Sequence, residues 1–291
     1  MDYRLKNKIM KKVGILGMGL MGTPMTLKLV QANIPVIAYN RTPAKLEPLK
    51  QINVPVTSNI QDSIEFADVL ILMLADFKAI QEVIGDKDLT GKTLIQMGTI
   101  SPDESKKLLW QVENKGGEYL EAPVLGSIPE AKTGDLLVMV GATNQQFTQW
   151  QWLLKNYSPN PLLIGEVGKA SALKLALNQM IAGLTATFAL SLTYLQKQGV
   201  NTDTFMDILR HSALYAPTFD KKLTRMIDRN YDNPNFPTKH LEKDINLFLD
   251  SAQTLELNTI GLQGVGSIVR EAVKKGFTDG DYSALIEGIE N

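Results

Sequence analysis

Gly17-Met18-Gly19-Leu20-Met21-Gly22 places three glycines at GxGxxG spacing. The motif follows an apolar strand-like run, Val13–Gly17, and opens a helical one, Leu20–Ala32. In that setting these residues suit one task, the cradling of a pyrophosphate. The first glycine makes the tight turn, the second leaves the backbone bare for the phosphates, and the third lets helix and strand pack closely. The helix N-terminus adds free N–H groups and a partial positive charge. The competing reading is a glycine-rich turn without a ligand. Strand, glycines and helix in this order favour a dinucleotide.

The residue ending the second strand selects which dinucleotide. NAD binders place an acid there, about 20 residues on, to hold the ribose 2′-hydroxyl. This chain has Asn40-Arg41-Thr42, with Asn40 lying 18 residues past Gly22. Asn40 is neutral, Arg41 can pair with a 2′-phosphate, and Thr42 can donate to it. The expectation is NADP(H) in preference to NAD(H), against the alternative that Arg41 is only a solvated charge.

Two further regions carry chemistry. Glu121-Ala122-Pro123-Val124-Leu125-Gly126-Ser127 closes a strand. Gly165-Glu166-Val167-Gly168-Lys169-Ala170-Ser171-Ala172-Leu173-Lys174 runs on to Asn178. Lys174 and Asn178 are four apart and share a helix face. A lysine in an apolar stretch is costly unless it faces a polar cavity; the competing reading is a snorkelling helix lysine.

Composition narrows the rest. The 291 residues are 44% hydrophobic and 21% charged, which excludes a disordered chain. Lys and Arg number 30 against 31 Asp and Glu, so nucleic acid is not an expected partner. Cysteine is absent and only His211 and His240 occur, which excludes disulfides, thiolate zinc sites and cysteine nucleophiles. The basic start, MDYRLKNKIMKK, followed by an apolar run, imitates a secretory signal. Glycines and Pro24 crowd that run and no small-residue cleavage site follows, so it reads as folded chain, with translation from Met1 or Met10 and a cytoplasmic location. No membrane span is expected, because Lys174 and Asn178 interrupt the longest apolar helix.

Strand-like runs at 13–17, 35–40, 54–57, 68–74, 93–97, 119–122 and 136–140 alternate with helical ones, including 101–115. That pattern predicts a mostly parallel sheet covered on both faces. After Ile164 it gives way to helices at 169–198, 202–211, 218–229, 239–255, 261–275 and 282–290. The expected domains are a polar extension over 1–11, an α/β Rossmann-like domain over 12–164 that binds NADP, and an all-α substrate and dimerisation domain over 165–291. A long interdomain helix opens the last. That helix is apolar nearly all round, more than a small bundle buries, so a homodimer or tetramer is expected.

Five motifs in order resemble the β-hydroxyacid dehydrogenase family, which includes 3-hydroxyisobutyrate dehydrogenases, tartronate semialdehyde reductases and glyoxylate/succinic semialdehyde reductases. They are GMGLMG; Gly98-Thr99-Ile100-Ser101-Pro102; APVLG; the Gly165–Lys174 run with Asn178; and Asn235-Phe236-Pro237-Thr238-Lys239-His240-Leu241-Glu242-Lys243-Asp244. The Asn40-Arg41-Thr42 end of strand two and the last run look most like the glyoxylate/succinic semialdehyde reductase branch. The resemblance implies Lys174 as catalytic proton donor and base, with Asn178 orienting it or holding substrate. It implies Gly126 and Ser127 at a substrate carboxylate, Thr99 beside the nicotinamide and Phe236 walling the pocket. Leu74, Ala75 and Lys243 join the cofactor residues, and Asp244 orients Lys243. For Phe236 a core role, and for Lys243-Asp244 a solvated pair, are the competing readings.

Two positions depart from the family pattern. Leu125 replaces a serine, which puts the substrate in question, and Gly98 replaces another, which is expected to loosen or widen its loop. The activity implied is NADPH-dependent reduction of a short, carboxylate-bearing aldehyde such as glyoxylate or succinic semialdehyde. The alternatives are oxidation of a β-hydroxyacid such as 3-hydroxyisobutyrate, and a non-catalytic NADP(H) sensor. An imine reductase is disfavoured because that branch lacks the lysine.

Overall fold

A computed structural model describes residues 11–290, so the extension expected over 1–11 and the choice of starting methionine lie outside the described residues but for Lys11. The strands are β1 (Val13–Leu16), β2 (Val36–Tyr39), β3 (Val56–Thr57), β4 (Val69–Leu72), β5 (Thr93–Gln96), β6 (Glu118–Glu121), β7 (Val124–Leu125), β8 (Leu137–Gly141) and β9 (Leu162–Gly165). The helices are α1 (Gly22–Gln31), α2 (Glu47–Lys50), α3 (Ile60–Phe66), α4 (Phe77–Ile84), α5 (Pro102–Glu113) and α6 (Ile128–Thr133). They continue as α7 (Asn144–Leu154), α8 (Lys169–Lys197), α9 (Thr202–Arg210), α10 (Pro217–Ile227), α11 (Thr238–Gln253) and α12 (Ile260–Lys274). Two compact units result, one ending at Lys174 and the other beginning at Leu175; α8 runs through the division.

In the first unit the sheet order is β3-β2-β1-β4-β5-β6-β8-β7, with β9 beside β8. β1 to β6 pair in parallel, and β8 runs antiparallel to β6 and β7. Strand alternation explains why both faces are buried. Val13, Ile15, Val69 and Ile71 point into one core with Met25, Leu29 and Trp150. Leu16, Leu70, Leu72 and Leu94 point into the other with Ile80, Leu108 and Tyr119. The strand order reverses direction between β1 and β4, the place where open α/β sheets bind ligands beyond the strands' carboxyl ends. This is the expected Rossmann-like arrangement. Two strands have no counterpart in the sequence reading: β7, only two residues long, and β9, a half-exposed edge.

The second unit is helical. Ala182, Ala186, Ala189 and Leu192 of α8 enter a core with Phe188, Phe219, Leu241, Ile245 and Leu285. Phe188 stacks on Phe219 with ring centroids 4.7 Å apart. α8 is long and apolar enough to cross a membrane by length and composition alone, and these packed alanines are what a core helix shows. The final segment, Tyr282–Gly288, is a 3-10 helix rather than the expected α-helix. A side chain on Gly288 would collide with the Ile268 carbonyl of α12, so the segment lies directly against that helix.

Candidate functional site

The three glycines of the first loop are not equivalent. Gly17 has φ +111°, and a Cβ there would run into the Met73 carbonyl. A Cβ on Gly22 would run into the Gly17 carbonyl. The fold itself requires both. Gly19 is exposed, and a Cβ added to it would meet nothing within 4 Å. The protein's own packing gives no reason for that glycine; a phosphate approaching the bare backbone does. α1 then starts with Met21 as its N-cap residue, with no side-chain cap and no acidic residue in the first turn, which leaves N–H groups to an anion. These residues fit a dinucleotide.

Of the six loop residues, Met18 turns its side chain into the core, where Thr26 Oγ lies 3.4 Å from its sulfur, and Leu20 is exposed. Asn40 braces the loop. Its Oδ1 accepts the Met18 N–H at 3.0 Å, and its Nδ2 donates to the Thr42 carbonyl at 3.0 Å. Arg41 is largely exposed and donates from Nη1 to Glu82 Oε2 of α4 at 2.7 Å. Neither Asn40's bracing role nor Glu82 is visible in the sequence.

The ends of β4 and β5 lie at the same sheet edge. Leu74 lies beside Gly17, and Ala75 is exposed. A Cβ on Gly98 would lie 2.8 Å from the Leu74 carbonyl oxygen. The expected loosening at Gly98 is therefore corrected: glycine here lets the loop approach β4 closely. Thr99 follows, two residues before Ser101, which caps α5 in a capping box with Glu104.

After β6, the run to Ser127 differs in part from the expectation. The Ser127 N–H is held by Glu130 Oε2 at 2.8 Å, so it is not available to a substrate carboxylate. The Ser127 hydroxyl is buried, has no hydrogen-bond partner among the described residues and keeps that capacity. Leu125 is half-buried and Gly126 exposed. The residue that sequence reasoning left without a role is Glu121, fully buried at the end of β6. Its Oε1 accepts the N–H groups of Gly168 (2.8 Å), Ala170 (2.9 Å) and Ser171 (3.1 Å), the start of α8. Lys174 follows within the next turn of that helix and is only 9% exposed.

In the helical unit, Asn178 Nδ2 donates to Asp244 Oδ2 at 2.6 Å, while Asp244 Oδ1 lies 2.9 Å from Lys243 Nζ. Asp244 is buried, so the solvated-pair reading of Lys243-Asp244 fails for the acid, which orients Lys243 and Asn178 together. Asn178 Oδ1 is buried and has no hydrogen-bond partner among the described residues, an acceptor left for a ligand donor. Phe236 packs between His240, with ring centroids 6.2 Å apart, and Tyr282, at 5.7 Å, at the edge of the helical core. Burial, with Lys243's charge behind it, pushes His240 below its ordinary value. Among the described residues no cluster of His, Asp or Glu could hold a metal.

Residues 12–165 match the family model described as the NAD binding domain of 6-phosphogluconate dehydrogenase. Residues 168–289 match that described as NAD-binding of NADP-dependent 3-hydroxyisobutyrate dehydrogenase. Glyoxylate/succinic semialdehyde reductase 1 of Arabidopsis thaliana is 30% identical over 96% of this chain and 98% of its own length. The 2-hydroxy-3-oxopropionate reductase of Escherichia coli K12 is 30% identical over 96% and 97%. A Mycobacterium tuberculosis 3-hydroxyisobutyrate dehydrogenase structure with L-serine has the same fold, with a TM-score of 0.86 at 21% identity over 97% of this chain and 100% of that one. With the bare phosphate cradle and the ordered motifs, these matches establish that the chain belongs to the β-hydroxyacid dehydrogenase family and is an NAD(P)-dependent oxidoreductase acting on CH–OH groups.

Proposed function

We propose that the chain reduces a short aldehyde acid, of the glyoxylate or succinic semialdehyde type, to the hydroxyacid, with NADPH as the reductant. Residues 12–164 form the cofactor domain and residues 165–291 the substrate and dimerisation domain. The bound nicotinamide would supply hydride from C4 to the carbonyl carbon. Lys174 donates the proton to the carbonyl oxygen and, while charged, stabilises the developing alkoxide; in the reverse direction it is the base. Asn178 offers Oδ1 to Lys174 or substrate. Gly126 and the Ser127 hydroxyl meet the carboxylate, and Thr99 lies beside the nicotinamide. Gly17 to Gly22, Asn40 to Thr42, Leu74, Ala75 and Lys243 hold the cofactor. The observation that carries this reading is a nearly buried lysine one turn into a helix whose start is pinned by a buried carboxylate.

The test follows NADPH and NADH oxidation with both aldehydes. Turnover with NADPH, at least tenfold better in kcat/KM than with NADH, is expected. Asn40→Asp keeps the acceptor for Met18 but sets a negative charge against the 2′-phosphate. It should lower the NADPH-to-NADH ratio at least tenfold, about 1.4 kcal/mol. An unchanged ratio would overturn the cofactor assignment. No turnover with either aldehyde, but oxidation of a β-hydroxyacid with NADP, would favour the reverse reaction instead.

A homodimer, or a tetramer built from dimers, is part of the proposal. Met180, Leu184, Leu190 and Tyr194 of α8 are exposed and fall within about a third of the helix circumference. A second copy of this chain is the occupant proposed for that stripe. Light scattering at micromolar concentration should give at least twice the chain mass, and Leu190→Glu with Tyr194→Glu should lower it. A monomeric parent would rule this out.

A further inference from the structure

We infer that Glu121 is a positioning residue that holds three site-bearing segments in register, resting on the reading of Lys174 as proton donor. Its Oε1 takes the N–H groups of Gly168, just before α8, and of Ala170 and Ser171 within it, and its Oε2 accepts the hydroxyls of Ser171, at 2.5 Å, and of Ser105 in α5. Ser105 gives its one proton to Glu121 and so accepts from Tyr119 Oη at 2.8 Å. Burial raises the Tyr119 phenol well above its ordinary value, which keeps it a donor. One carboxylate thereby joins β6, which leads into Leu125–Ser127, to α5, which follows Thr99, and to the first turn of α8, which carries Lys174.

The sheet is shaped around this group. Gly141 of β8 pairs with Glu121 across the antiparallel ladder, and a Cβ there would collide with the carboxylate. Burying a carboxylate is costly unless its oxygens are fully satisfied, and apolar packing holds helices together at less cost. Five donors and the positive end of α8 meet that requirement here. What apolar contact does not give is a fixed rotation and height of the helix start. Lys174 lies three residues past Ser171 on the same face, so a turn's slippage would carry its ammonium away from a reacting oxygen.

The test compares the full chain with Glu121→Gln, which is nearly isosteric and lacks the charge, and with the milder Ser171→Ala. For Glu121→Gln, kcat should fall at least tenfold while the NADPH Kd, read from fluorescence, stays within twofold. Amide exchange across 168–174 should quicken at least tenfold, with no change in β1–β5. Ser171→Ala should show the same pattern at two- to fivefold. A kcat within twofold of the parent, with only a lower Tm, would make Glu121 merely structural and overturn the inference. Unchanged exchange across 168–174 would overturn it as well. If the parent turns over neither aldehyde, the functional reading fails by itself, and the exchange measurement still decides whether Glu121 anchors the helix.

Discussion

Lys174→Ala is expected to lower kcat by about 10³- to 10⁴-fold while NADPH binds as before. A positioned general acid contributes about 10²- to 10⁴-fold, and a cation at the developing alkoxide adds to it. Ala supplies neither, and water replaces a placed proton donor poorly. The side chain is nearly buried in an apolar helix, so its removal should cost little stability relative to its catalytic effect. Lys174→Arg keeps a charge but carries it on a wide planar fork with a much higher affinity for its proton; it should recover less than a tenth of the parent rate. The measurement is single-turnover NADPH oxidation beside a fluorescence titration of NADPH. A variant retaining more than a tenth of parent kcat would remove Lys174 from the chemistry. A parent that binds NADPH yet turns over none of the aldehydes or hydroxyacids tried would shift the search to other substrates, with Leu125 the first position to examine.

The cofactor half of the site was legible because its chemistry is local. A strand, three glycines and a helix occupy consecutive residues, and the reasons for Gly17 and Gly22 lie within the loop or just past the adjoining β4. Parallel strands buried on both faces also announce themselves as continuous apolar runs, as Val69–Leu74 does. What escaped is long-range. Glu121 meets its helix partners 47 to 50 residues on, and Asn178 meets Asp244 after 66. No periodicity encodes which acid reaches which amide. β7 and β9 were missed because two to four residues at a sheet edge lack the alternation that marks a strand. Gly98 was misread because a missing side chain looks like slack in a sequence, whereas its meaning depends on the Leu74 carbonyl beside it.

Lys222→Ala is expected to destabilise the helical unit by about 3–5 kcal/mol, since it strands a buried carboxylate. Lys222 Nζ lies 2.8 and 2.9 Å from the two Asp281 oxygens and 4.2 Å from the Tyr282 ring centroid, with both charged groups buried. Asp281 also accepts from Ser283 N and Oγ, and the adjoining chain ties Phe236 and Thr238 in place, because Tyr282 N donates to Phe236 O and Thr238 N to Gly280 O. Burial alone would push the Asp281 carboxyl up, but the Lys222 charge and the Ser283 bonds outweigh it and hold it below the usual range. In the parent, a depressed carboxylate therefore contributes stability that is complete above its unfolded value, about 3.9, and is lost as pH falls through the folded one. In Lys222→Ala burial prevails, the Asp281 value rises, and protonation relieves the variant as pH falls. The stability gap between the two, read from urea unfolding, should narrow between pH 7 and pH 4.5. A gap of the same size at both values would mean that the loss is one of packing rather than of an unpaired charge.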